Sequence, residues 1–161
     1  MDPGVRFTEL LAYNEEETTR WKQFFQEHSA AVDLPCDVAS AGTVRNLVLH
    51  IFQTELFFAN LLTETPNTGL ESIPSATLDD LFAIHSEAYA KFQEALTKTT
   101  AEQWDQNVSL RFRDFKASRR KMFVQAMLHG VHHRAQLATH LRQQGFKQNW
   151  IHDIVLSSAM P

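Results

Sequence analysis

Apolar residues recur at steps of three and four along four long segments of the chain, and this spacing constrains the fold more than any other feature of the sequence. Such a repeat is typical of helices that bury one side. The first segment shows it in Phe7, Leu10, Leu11, Trp21 and Phe24. We therefore predict four helices, over about residues 6–28, 43–62, 77–98 and 118–144.

The residues at the ends of these segments are suited to starting and stopping helices. Thr77 can cap the third helix, with Asp80 three residues on, where it can complete a reciprocal cap. Thr65 and Pro66 close the second helix, because proline cannot continue one. Gly145 follows the fourth helix, at a position where glycine commonly ends helices.

The composition of the chain also favours long helices over structures with many turns. The chain has 161 residues, of which 43% are apolar, and only five glycines and five prolines. This length suits a single domain, residues 1–161, with a sizeable core. Between the third and fourth helices, Val108, Leu110 and Phe112 alternate with polar residues, which predicts an extended segment or a short hairpin. We expect an all-α fold, a four-helix bundle with a long crossover connection.

Four of the eight histidines fall in HGVHHRAQLATHLRQQG, residues 129–145, on the fourth helix. On a helical wheel His129 and His133 lie at the edge of the apolar face, about 40° and 6 Å apart, a spacing at which two imidazoles can bind one metal ion. His132 points away from that face. His140 lies about 10 Å beyond His133, too far for the same ion.

His50 lies at the edge of an apolar face of the second helix in the same way. An unpaired polar group in a core is costly, and one metal ion would satisfy His50, His129 and His133 together. Three histidine ligands leave a coordination position for water or substrate, as in catalytic zinc sites. Glu55 faces elsewhere on the wheel and does not complete the set. The spacing alone leaves equally open that the three histidines form separate hydrogen bonds.

The sequence lacks the carboxylate motifs of two other metalloprotein classes. Neither His-Glu-x-x-His nor Glu-x-x-His occurs anywhere in the chain. This excludes the zincin proteases and the di-iron bundles.

The histidine-rich segment and the upstream NLVLHIFQTELFFANLL together resemble the DinB/YfiT-like superfamily, over nearly the whole chain. The family has a histidine in the second helix, and in the last helix His-x-x-x-His followed by arginine and often glutamine. The matching residues here are His50, His129, His133, Arg134 and Gln136. Ala135 stands where many members have glycine.

The resemblance implies a four-helix bundle, often dimeric, with a divalent metal, commonly zinc or nickel, held by the three histidines. The few members with established activities include S-transferases that use low-molecular-weight thiols such as bacillithiol, and a mycothiol-dependent isomerase. We therefore expect a metal-dependent thiol S-transferase that acts on small electrophiles, with a low-molecular-weight thiol as a further cofactor. Two alternatives stay open: a metal-dependent hydrolase, and a non-catalytic stress-response or binding protein stabilised by its metal.

Two further residues of the fourth helix are candidates for catalytic roles beside the metal. His132 could carry protons, because histidine changes charge near neutral pH, although its wheel position favours an ordinary exposed residue. Gln136 could orient a ligand, or it could form a hydrogen bond within the bundle.

Charge and composition limit the partners. The net charge of −4 argues against nucleic acid. A basic cluster precedes the fourth helix without interleaved aromatic residues, and we interpret it as a solvated face rather than as a site for an acidic thiol or an anionic substrate. Its members are Arg111, Arg113, Lys116, Arg119, Arg120 and Lys121.

Other features of the sequence indicate the cellular compartment. The chain has no apolar run long enough for a bilayer, its N-terminal segment does not resemble a secretory signal, and Cys36 is its one cysteine. We therefore expect a cytoplasmic protein without a membrane partner.

The second helix is apolar nearly all round. Val48, Phe52 and Leu56 lie opposite the face that carries His50. Either this helix is central in the bundle, or another subunit covers its second face. Because two-fold dimers are the commonest closed oligomers, we expect a homodimer. We expect its substrate to be a small molecule.

Overall fold

The computed structural model describes residues 4–110 and 115–160 and shows a bundle of four long helices. They are α1 (Phe7–Glu27), α2 (Val44–Leu62), α3 (Leu78–Lys98) and α5 (Arg119–Gln143), with the one-turn helix α4 (Ala101–Trp104) after α3. The boundaries of the four long helices lie within one residue of the predicted ones. The all-α prediction is confirmed.

Two short antiparallel hairpins lie in the connections between the long helices. Strands β1 (Pro35–Cys36) and β2 (Gly42–Thr43) pair before α2. Strands β3 (Asn107–Leu110) and β4 (Phe115–Ser118) pair before α5, with Val108 opposite Ala117. The predicted extended segment is thus a hairpin strand as far as Leu110. The rest of the predicted alternation, residues 111–113, lies outside the described residues.

Hydrogen bonds at the helix ends explain why the boundaries could be predicted. The Thr77 side chain accepts from the Asp80 N–H, and the Asp80 carboxylate accepts from the Thr77 N–H. Gly145 follows α5 with a φ of 88°, in the left-handed region. The next N–H, that of Phe146, then donates to the Leu141 carbonyl and closes the last turn.

The helices follow one another around the bundle in the order α1, α3, α2, α5. Helix α2 packs against α3 and α5, and α1 packs against the same two helices. The connections from α1 to α2 and from α3 to α5 therefore cross the bundle, and the predicted crossover is confirmed. This order brings α2 and α5, which carry the candidate metal ligands, side by side.

Helix α2 is central, and both of its apolar faces are buried within this chain. On the face opposite His50, Val48 and Phe52 are 3% exposed and Leu56 is 2% exposed. The Phe52 ring lies 5.1 Å from that of Phe82 on α3. Helix α3 therefore covers this face, and the face gives no support to a homodimer.

One hydrophobic core joins the four long helices. Within the described ranges, no helix combines the length and the apolar character that a bilayer crossing requires. The assignment of residues 1–161 to a single domain stays a prediction.

Candidate metal centre

Three histidines from two neighbouring helices converge at the surface of the bundle. His50 comes from α2, and His129 and His133 come from successive turns of α5. The ring centroid of His50 lies 4.9 Å from that of His129 and 4.9 Å from that of His133. The centroids of His129 and His133 lie 4.4 Å apart. Each ring offers one nitrogen, and these nitrogens all lie within 4.8 Å of one another. The predicted set is therefore assembled in space.

The spacing of the nitrogens fits a shared ion. The Nε2 atoms of His50 and His129 lie 3.1 Å apart. Two nitrogens that are each 2.0–2.1 Å from one tetrahedral ion lie about 3.3 Å apart. Imidazole nitrogens are also donors that zinc and nickel accept readily. The three residues could thus hold a divalent metal ion.

The protein alone does not satisfy the polar atoms of His129. Its Nδ1 atom is buried and has no hydrogen-bond partner among the described residues. Its Nε2 atom faces the Nε2 atom of His50, and only one of these two nitrogens can supply a hydrogen to the contact. An ion between the two Nε2 atoms would use both lone pairs at once, and the ring proton of His129 would then lie on Nδ1, which the ion does not contact.

The environment lowers the pKa of all three imidazoles, which favours the neutral form that metal ligation requires. Burial, followed by the neighbouring His133 and His50, lowers the pKa of His129 to about 4. Burial and the nearby His133 lower the pKa of His50. Burial also lowers the pKa of His133, although its hydrogen bond to Gln136 acts in the opposite direction.

Gln136 fixes the orientation of one candidate ligand. Its Oε1 atom lies 2.7 Å from Nδ1 of His133, and an amide oxygen only accepts hydrogen bonds. His133 therefore donates from Nδ1, and its Nε2 lone pair remains for an ion. Of the two interpretations of Gln136, this contact shows the hydrogen bond within the bundle, which would also orient His133 toward an ion.

The site is open on one side. His50 is exposed, His129 is half-buried and His133 is only 8% exposed. His132 is exposed, as its wheel position indicates, and its ring centroid lies 4.9 Å from that of His133. Small molecules can therefore reach the histidines from solvent, next to a further imidazole.

A groove of about 500 Å³ runs along α5 beside the site. Its lining includes Val131, His132, Gln136 and His140 from α5, and Val38 from the connection before α2. His140 does not approach the three ligands, because its Nε2 atom lies 2.9 Å from the Pro35 carbonyl oxygen. The groove is large enough for a small molecule.

A buried polar network lies next to the site, and sequence reasoning did not predict it. Glu55 does not belong to the group of candidate metal ligands, as the wheel indicates, and it is 0% exposed. Its Oε2 atom lies 2.7 Å from Nδ1 of His85, and its Oε1 atom accepts from Arg134 Nη2 at 3.1 Å. Asn14 also donates to Oε1, at 3.1 Å. We call the connected residues the Glu55 network: Asn14, Glu15, Thr18, Glu55, His85 and Arg134.

The charges of this network are matched. Burial would raise the pKa of Glu55, but His85 and Arg134 outweigh it and lower that pKa.

The sequence carried only a weak signal of the network. Asn14 and Thr18 lie in the polar stretch NEEETTR of a helix that is otherwise apolar on its core side, and His85 has no spacing that relates it to Glu55.

Part of the basic cluster at the start of α5 is neutralised by ion pairs. Arg119 Nη2 lies 2.6 Å from a Glu64 oxygen, and Arg120 Nη2 lies 3.0 Å from an Asp105 oxygen. Arg111 and Arg113 lie outside the described residues. The paired arginines favour a solvated face over a binding site for anions.

Comparison with known proteins agrees with the sequence resemblance. The pattern that defines the DinB family matches residues 3–157 of the chain. No curated protein matches the chain significantly.

Proposed function

The chain belongs to the DinB family, and we propose that it is a divalent-metal-dependent S-transferase that joins a low-molecular-weight thiol to small electrophiles. His50, His129 and His133 would hold the ion, with zinc or nickel as the expected metals. One observation supports this proposal above all: three imidazoles with lowered pKa values converge where the bundle is open to solvent. Structural zinc sites usually have four protein ligands, whereas a set of three suits catalysis.

A bound divalent ion would lower the pKa of a coordinated thiol or water toward neutrality. In the transfer, a bond forms between the thiol sulfur and the electrophilic carbon, and the leaving group departs with its electron pair. The thiol proton goes to solvent, and we propose the exposed His132 as its carrier. Gln136 would act on the same reaction only through the orientation of His133.

The groove along α5 supports a small-molecule substrate. None of the three candidate ligands lines it, but His132 and Gln136, which both contact His133, do, so a ligand in it would lie next to the site. We also propose that the chain works in the cytoplasm, where its one free cysteine, the buried Cys36, stays reduced.

We further propose a homodimer, on a surface different from the one that the sequence suggests. Helix α5 exposes two large apolar residues, Leu128 (57% exposed) and Val131 (42% exposed), on its outer side. Exposed apolar side chains on one helix face are suited to packing against a second copy. Their position beside His129 and His132 would place the interface at the edge of the site, where Val131 also lines the groove.

The first experiment is metal analysis of untagged protein by plasma mass spectrometry. We expect about one ion per chain, lost in His50→Ala and His129→Ala while helical circular dichroism is retained. His140→Ala, a histidine of the same helix outside the site, is the matched control and should keep its metal. No metal in wild-type protein after reconstitution would contradict the proposal.

The second experiment identifies the reaction. The metal-loaded protein is incubated with a chromogenic aryl halide and a low-molecular-weight thiol, and separately with a chromogenic ester. Thiol-dependent release of halide that disappears in His129→Ala supports the S-transferase. Ester hydrolysis without thiol would identify a hydrolase instead. Collapse of the fold in His133→Ala, without either activity in wild type, would indicate a metal that only stabilises the bundle.

A further inference from the structure

The Glu55 network connects all four long helices through one buried carboxylate. Asn14, from α1, and Arg134, from α5, both donate to the same oxygen of Glu55, which comes from α2. The other oxygen contacts His85 from α3. A shift of any one helix along its neighbours would therefore break at least one of these contacts.

The network meets α5 at the backbone between the two α5 ligands. A Cβ atom at Gly130, which follows His129, would lie 3.0 Å from Nη1 of Arg134 and 3.4 Å from Oε1 of Glu55. Arg134 itself follows His133 directly. The absence of a side chain at Gly130 thus leaves space for the guanidinium of Arg134 and the carboxylate of Glu55 next to the backbone of the two α5 histidines.

Buried ion pairs of this kind specify an arrangement better than they stabilise it. Exchange of a buried pair for apolar residues is often neutral or stabilising, because the charges lose their hydration. A fully satisfied polar network, in contrast, fits one arrangement of its donors and acceptors and makes that arrangement rigid. An apolar interface between α2 and α5 would tolerate sliding, which the directional bonds of Arg134 and Glu55 do not.

A shared metal site needs such rigidity between α2 and α5. His50 is the only one of the three candidate ligands on α2, and its Nε2 atom must stay near that of His129, now at 3.1 Å. Metal–nitrogen bonds tolerate deviations of only about 0.2 Å. A slide of α2 by a fraction of one residue would remove His50 from the set.

We propose that Glu55 and Arg134 are positioning residues of the metal site, which hold α2 and α5 so that His50 meets His129 and His133. This inference rests on the proposed metal site. In this role neither residue would bind the ion itself. Their removal should weaken metal binding while the bundle stays folded, because the apolar core remains in place.

The test compares Glu55→Gln and Arg134→Lys with wild type. Glu55→Gln keeps the shape of the side chain and removes its charge. Arg134→Lys keeps the charge, but a single ammonium cannot bind Asn14, Thr18 and Glu55 in the way that the planar guanidinium does. Zinc affinity is measured by competition with a chromophoric chelator, and we expect a loss of at least about 10-fold, the lower end of the effect of losing a group that orients a metal ligand.

A matched control separates positioning from general destabilisation. Phe25→Leu removes buried packing from α1, where Phe25 is 0% exposed and its ring stacks 5.7 Å from Trp21. The variant should lower stability to denaturant and leave zinc affinity unchanged. If Glu55→Gln and Arg134→Lys do not fold, Thr18→Val replaces them as the test, because it removes one acceptor of Arg134. We then expect a smaller loss of zinc affinity, and unchanged affinity would contradict the positioning role.

A second readout needs no metal. In metal-free protein, the nuclear Overhauser effect between the ring protons of His50 and His129 reports their contact. We expect it to be lost in the network variants and kept in Phe25→Leu. Unchanged affinity and an unchanged Overhauser effect in folded variants would overturn the positioning role. If wild type binds no zinc, the proposed function fails, and the Overhauser effect alone still decides whether the network positions the rings.

Discussion

The Nε2 atoms of His50 and His129 lie 3.1 Å apart, although 79 positions separate the two residues in the chain. Two nitrogen lone pairs at this distance repel each other unless a proton or a cation lies between them. Two neutral imidazoles can share one N–H···N hydrogen bond at this distance, whereas a divalent cation would use the lone pairs of both rings. Together with the nearby His133, this contact is the geometry that the proposed metal site between α2 and α5 requires.

Loss of the Gln136 acceptor should weaken metal binding. Gln136→Leu leaves Nδ1 of His133 without its partner, so the tautomer that presents Nε2 is no longer favoured. We expect about 10–100-fold weaker zinc binding in chelator competition. Gln136→Glu keeps an acceptor at the same place and should retain most of the affinity. Equal affinities for Gln136→Leu and wild type would show that the hydrogen bond does not orient the ligand.

Gly130→Ala should be harmful even though alanine is the better helix former. In an exposed helix interior the change would stabilise by about 1 kcal/mol. Here the new Cβ atom would lie 3.0 Å from Nη1 of Arg134 and 3.2 Å from Oδ1 of Asn14, so the network must shift. We expect a lower free energy of unfolding in urea and weaker zinc binding.

The exposed Ala135 on the same helix provides the comparison for Gly130. Ala135→Gly should cost about 1 kcal/mol through helix propensity alone and leave zinc binding unchanged. A more stable Gly130→Ala protein with unchanged affinity would mean that the network accommodates the methyl group without disturbing the site.

Stability should fall in alkaline solution because of His85. Burial alone would lower the pKa of His85, but the carboxylates of Glu55 and Glu15 outweigh it and raise the pKa to about 9. A raised pKa means that the folded state holds the proton more tightly than the unfolded state. The contribution is therefore complete below about pH 6.5 and is lost as pH rises toward 9.

Urea unfolding from pH 6 to 10 measures this effect. The midpoint of wild type should fall across the range, whereas that of His85→Gln should be lower at pH 6 and should change less. Parallel curves for the two proteins would show that the imidazolium of His85 does not contribute to folding.

The helix cap at Thr77 should contribute to stability without affecting the site. Thr77→Ala removes the acceptor for the Asp80 N–H at the start of α3. We expect a loss of about 0.5–2 kcal/mol in the free energy of unfolding. Thr77→Ser retains the hydroxyl and should recover most of the loss. Zinc affinity should be that of wild type in both variants, and a change would place α3 in closer contact with the site than the structure does.

The proposed dimer should depend on the outer side of α5. Leu128→Glu places a charge where Leu128 is 57% exposed, and it should convert the dimer to a monomer in light scattering. Gln125→Glu adds the same charge at an exposed position one turn earlier and should leave the dimer intact. A wild-type protein that is monomeric at high concentration would exclude the homodimer.

Local patterns in the sequence determined the helices and their ends. Helical periodicity repeats within a few residues, and caps such as Thr77 with Asp80 act across three residues, so both can be detected without a fold. The pair His129 and His133 could be predicted for the same reason, because one helical turn already places the two rings together. The choice of His50 as the third ligand needed the family resemblance in addition to its wheel position.

Only the tertiary structure decided how the helices face one another. Helix α2 is apolar nearly all round, and a wheel cannot tell whether its second face meets another helix or another subunit; the structure places α3 on that face. The contacts of Glu55 with His85 and Arg134 span 30 and 79 positions. Such contacts depend on the packing of whole helices, because the burial of large apolar surfaces determines which helices are neighbours. A polar side chain can form its hydrogen bonds only once those neighbouring helices are in place.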